Sequence, residues 1–170
     1  LRIFFNETHL QNDFHRLTQW LLKEPHQYFM MRDCQSRNVM IKDNVPYFID
    51  FQGGRKGALQ YDVASLLWQA GAQIPMEKRA ELLEFYIQKA KEKVSIPDVE
   101  AFRNRYYGFL LIRMLQVLGA YGFRGLFEGR THFIESIPPA LKNIEWFMKN
   151  IQLPIELPEV YKVLTDIIKH

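Results

Sequence analysis

Asp33, Asn38 and Asp50 form the most chemically loaded spacing in the chain, within Met31-Arg32-Asp33-Cys34-Gln35-Ser36-Arg37-Asn38 and Tyr47-Phe48-Ile49-Asp50-Phe51-Gln52. Asp33 and Asn38 stand five residues apart in a polar stretch between two apolar runs, and Asp50 closes the next run. Carboxylate and amide oxygens are hard ligands that suit Mg²⁺, which takes few protein ligands and keeps its waters. Phosphoryl transfer asks for little covalent chemistry from a protein; it needs metal held against phosphates and an acceptor hydroxyl held in line. Asp50 and the Asn38 amide oxygen suit the first task. Asp33, able to orient a hydroxyl or accept its proton, suits the second. Asp and Asn also favour ordinary turns. Their order, their spacing and the flanking strands, with Asp62 behind them, set the catalytic reading above that one.

Short strands must hold these side chains. Tyr28 to Met31 and Val39 to Ile41 read as strands, Asp43-Asn44 as a turn, and Pro46 to Ile49 as a further strand ending at Asp50. Gly53, Gly54 and Gly57 mark an irregular loop. A helix precedes this region, His9 to Lys23, with Leu10, Phe14, Leu17 and Leu21 at helical spacing and Pro25 ending it. From Tyr61 onward the chain reads as helical: Asp62 to Gly71, Met76 to Lys93, and from Pro97-Asp98 to about Tyr121. A glycine-rich break follows over Gly122 to Gly129. Then come His132 to Asn150, with a kink expected at Pro138-Pro139, and a short last helix. The fold class expected is α+β, predominantly helical, with a small β-hairpin carrying the loops.

The stretch resembles the catalytic and metal-binding loops of the protein-kinase-like superfamily, D-x-x-x-x-N followed by an Asp that opens a D-F-G-like triplet. It is most similar to the aminoglycoside phosphotransferase and choline kinase branch, on Asp50-Phe51-Gln52 followed by Tyr61-Asp62-Val63-Ala64-Ser65-Leu66-Leu67. Within that branch, the Arg-Asp beginning and the Asp-Phe-Gln triplet resemble bacterial kinases of the anomeric hydroxyl of N-acetylmuramate or N-acetylglucosamine. The resemblance implies Asp33 as catalytic base or hydroxyl-orienting group, Asn38 and Asp50 as holders of Mg²⁺ and the ATP phosphates, and Asp62 as a brace for the catalytic loop. It implies a kinase-like C-terminal lobe over 1–170, with a catalytic segment at 28–69 and a helical subdomain at 76–170. Its partners would be a nucleotide and a small-molecule hydroxyl acceptor, a sugar or amino sugar. Two positions depart from the pattern: Met31 stands where His is usual, and Gln52 where the triplet has Gly. No G-x-G-x-x-G loop or Val-Ala-x-Lys strand precedes Asp33, so the nucleotide lobe is expected to be missing from this chain and the chain alone to be inactive.

Arg32 and Arg37 flank the catalytic positions and are candidate substrate contacts, set beside the plainer reading of paired surface charge. Arg113 shares a helical stripe with Tyr106, Leu110 and Val117, a cation on an apolar face that needs a carboxylate or an anionic ligand. A structural salt bridge is the preferred reading there. Arg124, Glu128 and Arg130 are placed at the same mouth. Cys34, without a Cys-His pattern, is a bystander, and Tyr28, Phe29, Phe48 and Phe51 are expected to pack inside the core or hairpin.

Composition sets the bounds. The 170 residues, 48% hydrophobic and with a formal charge of +3, suit one globular unit. Lys and Arg are scattered, so no nucleic-acid partner is expected. No apolar run near the roughly 20 residues of a membrane span stands out, and no membrane partner is expected. One cysteine, no signal peptide and an abrupt start suggest a truncated cytoplasmic protein. Two rivals remain: a catalytically silent scaffolding domain that kept the fold, and a protein kinase, disfavoured because no Ala-Pro-Glu segment follows Asp50.

Overall fold

The computed structural model describes residues 3–169. Six helices and two small antiparallel sheets follow in the order α1 (Glu7–Leu21), β1 (Tyr28–Met30), β2 (Val39–Lys42), β3 (Val45–Phe48), β4 (Arg55–Gly57), α2 (Leu59–Leu67), α3 (Met76–Lys91), α4 (Val99–Tyr121), α5 (Thr131–Asn150) and α6 (Pro158–Ile168). The fold is α+β and predominantly helical. Its helical core surrounds α4, which packs against α2, α5 and α1. Leu17, Tyr106, Leu110, Leu111, Ile144 and Phe147 are buried to 1% exposure or less along these faces. Trp68 joins them, donating its indole N–H to the Tyr106 hydroxyl at 2.9 Å.

Local sequence explains the boundaries. Asn6 caps α1 by accepting the His9 N–H at 3.0 Å, and Asp98 caps α4 by accepting from Ala101 N–H at 2.9 Å. Asp43 and Asn44 have φ of 52° and 60°, the left-handed pair that a two-residue hairpin turn requires, and so β2 and β3 pair from Val39↔Phe48 to Lys42↔Val45. The Ile49 N–H adds one more rung, to the Asn38 carbonyl at 3.0 Å. Asp50 therefore follows directly on the hairpin.

Several expectations need correction. The Gly53–Gly57 stretch is not wholly irregular, because Arg55–Gly57 forms β4 against β1. A Cβ at Gly57 would lie 2.7 Å from Met30 Sδ, so a larger residue there would make the end of the flexible Met30 side chain move aside. Helix α2 spans Leu59–Leu67 rather than Asp62 to Gly71, which places Asp62 inside its first turn. The glycine-rich stretch does not break α4. It continues as a π-helical segment, Gly122–Phe127, closed by Glu128 N–H to the Phe123 carbonyl at 3.1 Å. Helix α5, by contrast, matches the expected span, with Pro138 and Pro139 inside it. Phe29, Phe48 and Phe51 are each more than half exposed and lie outside the core, because the two small sheets have no helix over their outer faces. Finally, Val99–Phe127 is long and apolar enough to cross a membrane by length and composition.

Candidate active site

Two backbone bonds hold the loop that carries Asp33. The Asp62 carboxylate accepts the Met31 N–H at 2.6 Å and the Arg32 N–H at 3.0 Å. Burial pushes this carboxyl above its ordinary range, while the two N–H bonds and the Arg113 guanidinium pull it down. Arg32 sits at φ 69°, a left-handed conformation costly for a side-chain-bearing residue. The pair of bonds from Asp62 holds the chain in that bend. Beyond it, Ser36–Asn38 makes a single 3₁₀ turn, anchored where Ser36 N–H donates to Gln69 Oε1 at 2.8 Å.

Asp33 and Asp50 share one open cleft of about 390 Å³, together with Met31, Arg32, Gln52, Gly53, Tyr61, Arg113 and Gln116. Asp33 is partly exposed and faces two cations: Arg113 Nη2 lies 3.4 Å from Oδ1, and Arg37 Nη2 lies 3.8 Å from Oδ2. The Arg37 contact is open to solvent and contributes little; Arg113 is mostly buried on α4 and screened less. Asp50 is exposed at φ 62°, with its Oδ1 accepting from Gln52 Nε2 at 2.8 Å. The substituted Gln52 thus ties back onto the carboxylate beside it. Arg32 reaches the Gly53 carbonyl at 3.4 Å, which closes the rim.

Asn38 is buried behind the loop. Its Nδ2 donates to the Asp33 carbonyl at 2.9 Å, which leaves Oδ1 as the free acceptor. Asn38 does not line the cleft that Asp33 and Asp50 share; its amide oxygen and the Asp50 carboxylate are each hard oxygen donors of the kind Mg²⁺ takes. Among the described residues, no cluster of three His, Cys, Asp or Glu side chains offers an alternative metal centre.

Arg124, Glu128 and Arg130 do not line this cleft. Arg130 pairs with Glu128 at 2.8 Å, and Arg124 lies over the Phe133 ring at 5.5 Å, because the π-helical turn carries them away. Sequence reasoning missed Tyr61 and Gln116, which line the cleft and bond to each other at 2.8 Å. They are 55 residues apart, and no local signal joins them.

The phosphotransferase enzyme family (APH) has a family model that matches residues 5–99, more than half of the chain. The chain belongs to that family. It is also 28% identical over 151 residues to the N-acetylmuramate/N-acetylglucosamine kinase of Neisseria meningitidis serogroup B (strain ATCC BAA-335 / MC58). That similarity covers 87% of this chain and 44% of the relative, so the chain spans under half of that kinase's length.

Proposed function

We propose that this chain is the kinase-like C-terminal lobe, over 1–170, of an ATP-dependent small-molecule kinase. Its acceptor is the hydroxyl of a sugar or amino sugar, and the nucleotide lobe lies elsewhere in the full-length protein. The observation that carries the reading is the meeting of Asp33 and Asp50 in one cleft, with Asp33 on a loop braced by Asp62. Similarity to a kinase named for two N-acetylated sugars supports the acceptor class.

In this reading Asp33 accepts a hydrogen bond from the acceptor hydroxyl and takes its proton as transfer proceeds. Arg113, 3.4 Å from Oδ1, fixes the orientation of the Asp33 carboxylate. Asp50 and Asn38 Oδ1 would hold Mg²⁺, which neutralises charge on the phosphates when bound. Arg32, and more loosely Arg37, add positive charge at the rim where a polyphosphate would lie.

The deciding assay is phosphorylation of a panel of sugars, amino sugars, choline and aminoglycosides by the full-length protein with Mg²⁺ and ATP. One sugar class should be phosphorylated, and Asp33→Ala should lower kcat by about 10²- to 10⁴-fold with the fold intact. Turnover by Asp33→Ala at the wild-type rate would remove Asp33 from the mechanism. Absence of any transfer despite nucleotide binding would favour a silent domain.

A further inference from the structure

Arg113 separates two hollows. One is the cleft it shares with Asp33. The other is a recess of about 40 Å³, room for a few non-hydrogen atoms, floored by Trp68, Leu110 and Met114. Arg113 is the only charged residue lining this recess among the described residues; no carboxylate lines it.

The recess contains an orphan. Ser65 is only 3% exposed, and its Oγ has no hydrogen-bond partner. A buried hydroxyl left unpaired costs about 1–3 kcal/mol, and native interiors rarely leave one without a reason. Gln69, on the same wall, spends its Oε1 on the Ser36 N–H at 2.8 Å, and its NH₂ has no protein acceptor among the described residues. Ser65 O–H, Gln69 NH₂ and the Arg113 guanidinium, three donors, therefore share one small space with an apolar floor, beside the side chains of Gln35 and Tyr121. That combination suits an oxygen acceptor carrying a methyl-sized group.

We propose that this recess is the specificity subsite for the acceptor. It receives a small acyl carbonyl of the acetamido kind, on the molecule whose hydroxyl lies at Asp33. This rests on the phosphotransfer reading of the neighbouring cleft. Arg113, 3.4 Å from Asp33, spans the short distance between the two groups. The same donor set disfavours a free ammonium, which would meet a cation and find no carboxylate, so discrimination against the unacylated amine is built into the wall.

The test compares kcat/KM for N-acetylglucosamine and glucosamine on the full-length protein. The wild type should prefer the acylated sugar by at least about tenfold. Gln69→Glu keeps an oxygen for the Ser36 N–H but replaces the donor with a carboxylate, and should cut that preference by about tenfold or more. Ser65→Ala should cut it by a smaller factor, through KM. A purely structural fault would lower both sugars together and leave their ratio where it was, and that result overturns the subsite. Equal use of the two sugars by the wild type overturns it as well. Failure of the wild type to phosphorylate any sugar is a different outcome: it removes the phosphotransfer reading, and the recess falls with it.

Discussion

Cys34 stands directly after Asp33, yet its environment argues against chemistry. Burial pushes its thiol up to about 11, with the charges of Asp62 and Asp33 adding to the shift and Arg113 opposing it. The thiolate is the reactive form, so Cys34 should alkylate far more slowly than a free thiol at neutral pH. The sign for stability follows from linkage: a pKa raised on folding stabilises below the unfolded value near 9.0 and is lost as pH rises through the folded one. The stability difference between wild type and Cys34→Ala should therefore shrink by about 2–3 kcal/mol between pH 8 and 11. A pH-independent difference in denaturant melts would contradict the shift. Asp62 allows a second residue-scale prediction. Asp62→Ala leaves the Met31 and Arg32 N–H groups unpaired and should destabilise the protein by about 2–3 kcal/mol, with Asp62→Asn intermediate because it retains one acceptor oxygen. Equal stability of Asp62→Asn and Asp62→Ala would mean that neither oxygen braces the loop.

Among the elements, the contact of α1 with α4 is decided at one glycine. Gly to Ala in a helix interior ordinarily stabilises by about 0.5–1 kcal/mol. At Gly108 an added Cβ would lie 2.4 Å from Trp20 Cζ3 and 2.8 Å from Leu21 Cδ2, both in the packed interior. Overpacking of that kind costs about 1–3 kcal/mol and outweighs the helical gain. Gly108→Ala should therefore lower the melting temperature; an increase would mean that α1 moves aside freely. The small sheets behave differently. The register of the β2–β3 hairpin is set by local turn chemistry at Asp43-Asn44 rather than by burial, since Met40, Ile41, Tyr47 and Phe48 remain about half exposed or more.

Across the whole molecule, the first and last helices are joined by a buried carboxylate. Asp13 on α1 is fully buried and accepts from Glu159 N–H at 2.7 Å and Val160 N–H at 2.9 Å, capping α6 from a helix more than 140 residues away. Arg16 pairs with the same carboxylate. Asp13→Ala removes a cap and leaves buried donors unpaired, a loss of about 2–4 kcal/mol. In a chain of this size that lowers Tm by about 5–12 °C, and calorimetry of the variant would expose a smaller role as an unchanged midpoint.

What the sequence determined by itself was local. The five-residue spacing of Asp33 and Asn38, Asp50 at a strand end, the Asp43-Asn44 turn and the helix start at Pro97-Asp98 are readable because each depends on neighbours within a few positions. Apolar periodicity marked the helices for the same reason. Tertiary structure alone decided which distant groups meet. Arg113 was legible as a cation on an apolar stripe that needed a partner, but only the packing of α4 against the loop that carries Asp33 brings that carboxylate to it, 80 residues away in the chain. Ser65 looks like any helical serine until Arg113, Gln69 and Trp68 enclose it, and the exposure of Phe29, Phe48 and Phe51 follows from which faces no helix covers. Burial and long-range pairing are properties of the packed chain, and no window of sequence contains them.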